Sequence, residues 1–248
     1  ELSDTELDTI TATTLRIGDV ETQGNIVVSV AISPANITNL SLLTTGNVSQ
    51  SATIAVAGLK IDADASTTLT QANAITTLAA LIGDSSATFS FTDAAGLATG
   101  TVDGTTGVTT NAGAIALVAT TLNVTIGALV NAGTSTVAIT AAADDALITS
   151  TTAVITGTGG VSLTADDMAL AGGTITATGA VVTLKSATTN DTVDLGNGTE
   201  DSAGVLELSD TELDTITATT LRIGDVETQG NIVVSVAISP ANITNLSL

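Results

Sequence analysis

Short bursts of alternating apolar and polar residues are the main pattern along this chain. Ile26, Val28, Val30 and Ile32 alternate with polar or small residues, and Leu122, Val124 and Ile126 repeat the pattern. Further bursts of the same kind occur at Ile54/Val56, Leu59/Ile61, Phe89/Phe91, Ile115/Leu117, Val137/Ile139, Val161/Leu163, Val182/Leu184 and Val193/Leu195. A period of two residues predicts short β-strands that bury one face.

Gly, Asn, Asp and Thr clusters separate these bursts and predict sharp corners. Successive bursts at Val137, Val161 and Val182 lie 24 and 21 residues apart, which is close to one coil of a three-sided solenoid. Asp103-Gly104 and Asn197-Gly198 are the pairs typical of antiparallel hairpins, and most corners lack such a pair. The spacing therefore favours an all-β, right-handed parallel β-helix, or β-solenoid, over a sandwich or barrel.

An exact internal repeat supports this architecture. Residues 1–42 recur letter for letter as residues 207–248, so the period is 207 − 1 = 206 residues. Identical units joined end to end favour growth in one dimension. We expect residues 1–206 to form one unit of about ten coils and residues 207–248 to begin the next unit of a continuous solenoid. Because the chain has no initiator Met and stops within the pattern, we expect a slice of a longer tandem array.

Composition fits a narrow interior. The chain is 44% hydrophobic but only 1% aromatic, so its apolar mass is almost entirely Ala, Val, Ile and Leu. A net charge of −21 disfavours binding to nucleic acid or anionic lipid and favours solubility. The chain has no Cys and no His, and no apolar run approaches the roughly 18 residues that a membrane-spanning helix needs.

Ser3-Asp4-Thr5-Glu6 has the form of a capping box before a helical turn, and a polar corner is the alternative. The same residues recur from Ser209, so either structure should form twice. A short helix at these positions would extend from a corner of the solenoid without changing its architecture.

The stretch Val161–Leu184, then Val193-Asp-Leu-Gly, and Glu6-Leu-Asp-Thr-Ile10 through Leu15-Arg-Ile-Gly-Asp19 resemble repeats of filamentous haemagglutinin-type giant bacterial surface proteins. The resemblance is best over residues 161–225. It implies a secreted or cell-surface fibre that acts in adhesion or as an extracellular filament. It also implies no catalytic residues. The implied partners are further copies of the repeat, lateral self-association, and surface glycans or other cells.

Calcium is the ligand that the acidic loops best fit. Its candidate ligands are Asp191, Asp194, Asn197, Glu200 and Asp201, because Ca²⁺ takes about 6 to 8 oxygen ligands from closely spaced donors. Asp62 and Asp64 are a weaker pair, for which a purely structural role is expected. No other cofactor is predicted.

Two other classes of function remain as alternatives. A polysaccharide-degrading β-helix enzyme would need paired carboxylates, and Asp144-Asp145 and Asp166-Asp167 are candidates. We expect these acids to be solvated corner residues and the protein not to be an enzyme. An ice-binding or carbohydrate-binding solenoid is the second alternative, because Thr9-Ile-Thr11, Thr134-Ser-Thr136 and Thr174-Ile-Thr176 have the spacing of water-ordering threonine rows. Those rows do not recur at every coil.

Overall fold

The computed structural model describes residues 2–21, 24–198, 202–226 and 230–248. The helices are α1 (Asp4–Leu7) and α2 (Asp210–Leu213). We call the N-terminal end of the stack of coils its lower end. The strands of the lower half are β1 (Ala12–Gly18), β2 (Ile26–Val28), β3 (Ile37–Thr44), β4 (Val48–Gln50), β5 (Ala55–Ala63), β6 (Thr67–Ile82), β7 (Phe89–Asp93), β8 (Leu97–Thr99), β9 (Thr101–Val102), β10 (Thr105–Thr106), β11 (Val108–Thr110) and β12 (Ile115–Ala119). The strands of the upper half are β13 (Val124–Ile126), β14 (Val130–Asn131), β15 (Thr136–Ala141), β16 (Leu147–Ser150), β17 (Val154–Thr156), β18 (Gly160–Thr164), β19 (Asp167–Ala169), β20 (Thr174–Lys185), β21 (Thr192–Leu195), β22 (Val205–Leu208), β23 (Ile216–Ile223), β24 (Ile232–Val234) and β25 (Ile243–Ser247).

Parallel pairing between successive coils builds the fold. Every strand pairing is parallel except that of β9 with β10, among the residues that the structure describes. The parallel β-solenoid predicted from the sequence is therefore confirmed, with about ten coils in the chain. Each backbone N–H and C=O can bond to the coil above or below, and so the stack satisfies its own polar groups.

The coils have three faces, which we name by their ladders of stacked strands. Face C contains β2, β4, the start of β6, β7, β12, β15, β18 and the end of β20. Face B contains β1, β3, β5, the end of β6, β11, β14, β17 and the start of β20. Face A contains β8, β13, β16 and β19. In the lower coils faces A and B are joined, since β6 pairs with both β8 and β11.

Aliphatic ladders fill the interior. On face C, Ile115, Val137, Val161 and Val182 follow one another in register, and each is almost fully buried. Phe89 and Phe91 lie in the same core with parallel rings whose centroids are 6.5 Å apart. The predicted inward positions are thus confirmed over most bursts.

Two predicted strand positions are wrong. Val30 and Leu122 are exposed, at 52% and 57%, because β2 ends at Val28 and β13 begins only at Val124. The chain turns a corner at each of these positions, and a corner interrupts the two-residue alternation. Ile32, predicted on the same strand as Ile26, instead bridges to Ile54 on the next face.

Buried polar side chains hold one corner of the lower coils. Asn73 is fully buried, and its Oδ1 accepts a hydrogen bond from the N–H of Ile54 at 2.9 Å. Its side-chain amide also exchanges hydrogen bonds with that of Gln50. Asp93 is the register partner of Asn73 in the next coil, and its Oδ2 accepts a hydrogen bond from the N–H of Ile75 at 2.9 Å. Burial raises the pKa of Asp93, since desolvation outweighs these hydrogen bonds. The corner therefore depends on matched polar partners in successive coils.

The second copy of the repeated segment continues the same stack, displaced by one face. Ile17 begins face B, yet its copy Ile223 pairs with Leu184 at the top of face C. Ile26 begins face C, yet its copy Ile232 pairs with Val193 of β21. β21 pairs with β22, which lies beside β19 of face A. Each described element of the second copy has thus moved forward by one of three faces.

The number of coils between equivalent positions follows from the ladder of Ile26. Its successive partners are Val48, Thr67, Phe89, Ile115, Val137, Val161, Val182 and Leu221, which makes eight steps. The chain then passes to the next face and reaches Ile232. One repeat therefore spans eight coils and one further face, fewer than the ten expected for residues 1–206, because the ten coils belong to the whole chain. At about 4.8 Å per step, one repeat advances roughly 40 Å.

Candidate functional site

The junction between the two copies is where the structure concentrates unusual features. We use "junction" for β21, β22 and the parts of the second copy that stack on the first, namely α2, β23 and β24. Because the repeated residues are identical, the two copies show one sequence in two environments. Leu15 and Ile17 are half-buried at the lower end of the stack, whereas their copies Leu221 and Ile223 are almost fully buried. The preceding coil therefore covers these side chains.

The upper end shows the converse. Val28 is 7% exposed beneath the coil that contains β4, whereas its copy Val234 is 54% exposed. Leu40 is fully buried, whereas its copy Leu246 is 41% exposed. Both ends of the described stack thus present apolar side chains that the same sequence buries when a neighbouring coil is present.

The short helices confirm the capping-box prediction in both copies. Ser3 and Glu6 cap α1, and Ser209 and Glu212 cap α2 with the same reciprocal hydrogen bonds. In the second copy Glu212 makes a further contact, because its Oε1 accepts the N–H of Leu170 at 2.9 Å. Glu212 is 1% exposed, whereas Glu6 is exposed. The same glutamate thus becomes a link between the two copies.

β21 and β22 stack out of sequence order. The order across their sheet is β22-β21-β24, so the chain first forms the upper strand, returns to form the lower one, and later places β24 on top. Gly196, which follows β21, has a φ of +91°, and a Cβ there would lie 2.3 Å from the carbonyl oxygen of Val236. Only glycine allows the backbones of the two copies to come this close at position 196.

The predicted calcium ligands do not lie together in one loop. Asp191 precedes β21 and is 7% exposed, Asp194 lies on β21, and Asn197 follows the strand. Glu200 and Asp201 lie outside the described residues. Within the described part of the chain, no three Asp or Glu side chains form a group that would hold a metal ion by themselves.

Asp191 belongs to an acidic cluster with Asp166. The hydroxyl of Ser186 lies 2.7 Å from Oδ1 of Asp166 and 2.8 Å from Oδ2 of Asp191. Burial acts to raise the pKa of Asp166, but hydrogen bonds from Thr188 and Ser186 outweigh it and lower the pKa overall. Burial, together with the nearby charge of Asp166, raises the pKa of Asp191. A hydroxyl donates one hydrogen, so a protonated Asp191 would donate to Ser186, which then donates to Asp166.

The expectation that the paired acids are solvated corners is confirmed for one pair and wrong for the other. Asp144 and Asp145 are exposed. Asp166 is 1% exposed, because it accepts hydrogen bonds from the N–H groups of Ala187 and Thr188 in the loop after β20. The carboxylate of Asp166 therefore stabilises that loop and is poorly placed for proton transfer to a substrate.

Asp194 and Glu207 form a second carboxylate pair, and sequence reasoning missed Glu207. They are register partners on β21 and β22. Glu207 is 1% exposed and neither of its carboxylate oxygens has a hydrogen-bond partner; Oδ1 of Asp194 is likewise inaccessible and unpartnered. The alternation Leu206-Glu207-Leu208 gives an outward glutamate, so the sequence carried no sign of its burial.

No known protein family, curated protein or solved structure matches this chain.

The hairpin of β9 and β10 is the one antiparallel element of the described residues. Asp103 and Gly104 both have positive φ, which confirms the turn predicted from that pair. Oδ1 and Oδ2 of Asp103 accept hydrogen bonds from Arg16 at 2.5 and 2.7 Å, and Ser41 donates to Oδ2 at 2.8 Å. Arg16 lowers the pKa of Asp103 to about 2. The Asn197-Gly198 pair, by contrast, follows β21, and the next strand runs parallel to β21.

Threonine rows are short. Thr156, Thr176 and Thr217 are register partners in three successive rungs of face B. Below this row, the outward residues of successive coils are Asn131, then Thr109, then Leu81, and each is the register partner of the next. The regular Thr-x-Thr surface of the ice-binding alternative is therefore confined to a few rungs.

Two further observations bear on partners. Phe89 and Phe91, the only aromatic residues, are buried in the core, so no aromatic ring is available to stack on a sugar. The two described helices have four residues each, and neither is long enough to cross a membrane.

Proposed function

We propose that this chain is a segment of a long extracellular tandem-repeat fibre that acts in cell-surface adhesion, in contact between cells or in contact with a matrix. Its role would be mechanical, supplying reach, stiffness and a displayed surface. The observation that carries the proposal is the junction, where a second copy stacks on the first and buries Leu221 and Ile223, which are half-buried as Leu15 and Ile17 in the first copy.

The junction supports growth by repetition. Ile232 pairs with Val193, Glu212 bonds to Leu170, and Gly196 allows Val236 to approach. Each of the second-copy residues has an identical counterpart in the first copy, which needs a preceding unit to make the same contacts. At the lower end, no described residue covers an apolar hollow lined by Leu2, Leu7, Ile17 and Ile26. A preceding unit would supply it with its counterparts of Leu184, Val193 and Leu195, which pair with the second-copy residues at 223, 232 and 208.

Surface chemistry supports an exposed, solvated thread. The chain carries 25 acidic and 4 basic residues, and three of the basic side chains form ion pairs with aspartates. Mutual repulsion between threads opposes indiscriminate bundling. The proposed partners are further repeats in the same chain, other copies of the fibre through lateral self-association, and, for adhesion, surface glycans or other cells.

The decisive experiment measures length against repeat number. The present chain is compared with chains that carry one and three additional 206-residue repeats, by negative-stain electron microscopy. We expect unbranched rods of constant width that lengthen by roughly 40 Å per added repeat. Beads on a string, or particles that widen instead of lengthening, would contradict the fibre.

Location and adhesion need separate measurements. Antibodies to the chain should label intact, unpermeabilised source cells, and the extended chains immobilised on beads should increase bead attachment to those cells or their matrix. Labelling only after permeabilisation would contradict the proposed location. Turnover of pectin or alginate by the purified chain would instead favour the polysaccharide-degrading alternative, and the proposal assigns no catalytic role to any residue.

A further inference from the structure

The carboxylates of Asp194 and Glu207 share one face of the β21–β22 pair. Their neighbours Val193, Leu195 and Leu206 are fully buried in the core. Because successive side chains of a strand point to opposite faces, Asp194 and Glu207 both project away from the core. They are register partners in a parallel pair, so their Cα atoms lie on adjacent rungs about 4.8 Å apart.

Neither carboxylate has an ion-pair partner among the residues that the structure describes. Glu207 is 1% exposed with both oxygens unpartnered, and Oδ1 of Asp194 is equally shielded. The ion pairs of the described residues join Arg16, Lys60 and Lys185 to other aspartates. A buried carboxylate beside a second, partly buried one is strongly unfavourable without a counterion. A folded chain would not retain such a pair unless something neutralised it.

We propose that a divalent cation, calcium, binds between Asp194 and Glu207. Carboxylates of either mono- or bidentate geometry are its preferred protein ligands, and backbone carbonyls and water complete its shell of about 6 to 8 oxygens. The unpartnered oxygens of Glu207 distinguish this site from the Asp166–Asp191 cluster, whose carboxylates already have Ser186 between them. The site thus keeps Asp194 of the sequence-predicted ligands and adds Glu207, whereas Asp191 belongs elsewhere.

The position of this site links it to the junction. β21 contacts β22 on one side through the Asp194–Glu207 rung and β24 of the next copy on the other, where Asp194 is the partner of Val233. A cation between β21 and β22 would fix the strand on which the next copy stacks. The site does not depend on the adhesive role, because it concerns the stability of the stack alone.

Calcium titration of the full 248-residue chain tests the proposal. After treatment with EDTA and dialysis, binding of CaCl₂ is measured by isothermal titration calorimetry, and unfolding is followed by circular dichroism. We expect a saturable site and, at calcium about a hundredfold above Kd, a rise in Tm of roughly 5 to 10 °C. The double variant Asp194→Asn/Glu207→Gln should lose both effects, and the matched control Asp144→Asn/Asp145→Asn should retain them.

The following outcomes would overturn the calcium site. Absence of calcium uptake by the wild-type chain would overturn the proposal, whether or not the variants fold. Equal uptake by the double variant would place any calcium elsewhere and would also overturn it. A calcium-insensitive wild type that Glu207→Gln alone stabilises would also overturn it, because the carboxylate pair would then be unfavourable in the folded chain with no cation to offset it. The length measurements above do not depend on any of these results.

Discussion

Truncation of the same leucine in each copy measures what a preceding coil contributes to stability. Leu221 is fully buried between Val182 below and Leu246 above. Leu15, its counterpart, has Leu40 above it and is half-buried. Leu→Ala substitution in a well-packed core costs about 3 kcal/mol, within a range of about 2 to 5. We therefore expect about 3 kcal/mol for Leu221→Ala and on the order of 1 kcal/mol for Leu15→Ala.

Urea unfolding followed by far-UV circular dichroism supplies the two values, from midpoints compared at equal m-values. Amide hydrogen exchange then shows whether each loss is confined to neighbouring rungs, as expected for a chain whose coils contact only their neighbours. The outward residues Thr13 and Thr219 provide matched controls, whose alanine variants should change stability by less than about 0.5 kcal/mol. Equal losses for Leu15→Ala and Leu221→Ala would refute the idea that stacking of one copy on another buries these side chains.

Two other predictions also use the repeat as its own control. Glu212→Gln should cost about 1 to 3 kcal/mol, because its amide group would leave the buried N–H of Leu170 or its own donors unsatisfied. In the same urea assay Glu6→Gln should cost clearly less, because Glu6 is exposed; similar costs would contradict a link across the junction. Arg16→Ala should destabilise the chain only slightly at neutral pH, since Arg16 is 64% exposed and solvent screens its ion pair. Because Asp103 has a folded pKa of about 2, below its ordinary value of 3.8, this contribution is present above about pH 4 and is lost as the pH falls through 2. Thermal melts should therefore show the difference between Arg16→Ala and wild type shrinking over that range, with no comparable trend for Arg222→Ala; a difference independent of pH would contradict the ion pair.

Local patterns predicted much of this fold. Alternation identified the inward positions Ile115, Val137, Val161 and Val182, and their spacing indicated parallel coils. The capping box at Ser3 predicted a helix or a corner, and a helix formed. These features depend on residues close together in the chain, for which sequence spacing determines geometry.

Features that depend on stacking were not predictable in this way. Asp166 has the sequence context of a solvated corner, but a loop from the next coil donates hydrogen bonds to it and buries it. Glu207 occupies an outward position and is nonetheless buried. The reversed order of β21 and β22 is also invisible locally, because both strands have ordinary alternating sequences. Each of these outcomes is set by which coil lies next to which.

The displacement of the second copy by one face has a consequence for a long array. If every repeat advances by a third of the circumference and roughly 40 Å, any given loop, such as the Asp103 hairpin turn, winds around the axis as a spiral. Three repeats, or roughly 120 Å, bring it back to the same side. A rigid bivalent partner approaching from one direction would need that reach to hold two equivalent sites, while the thread as a whole would offer its surface to contacts from every direction.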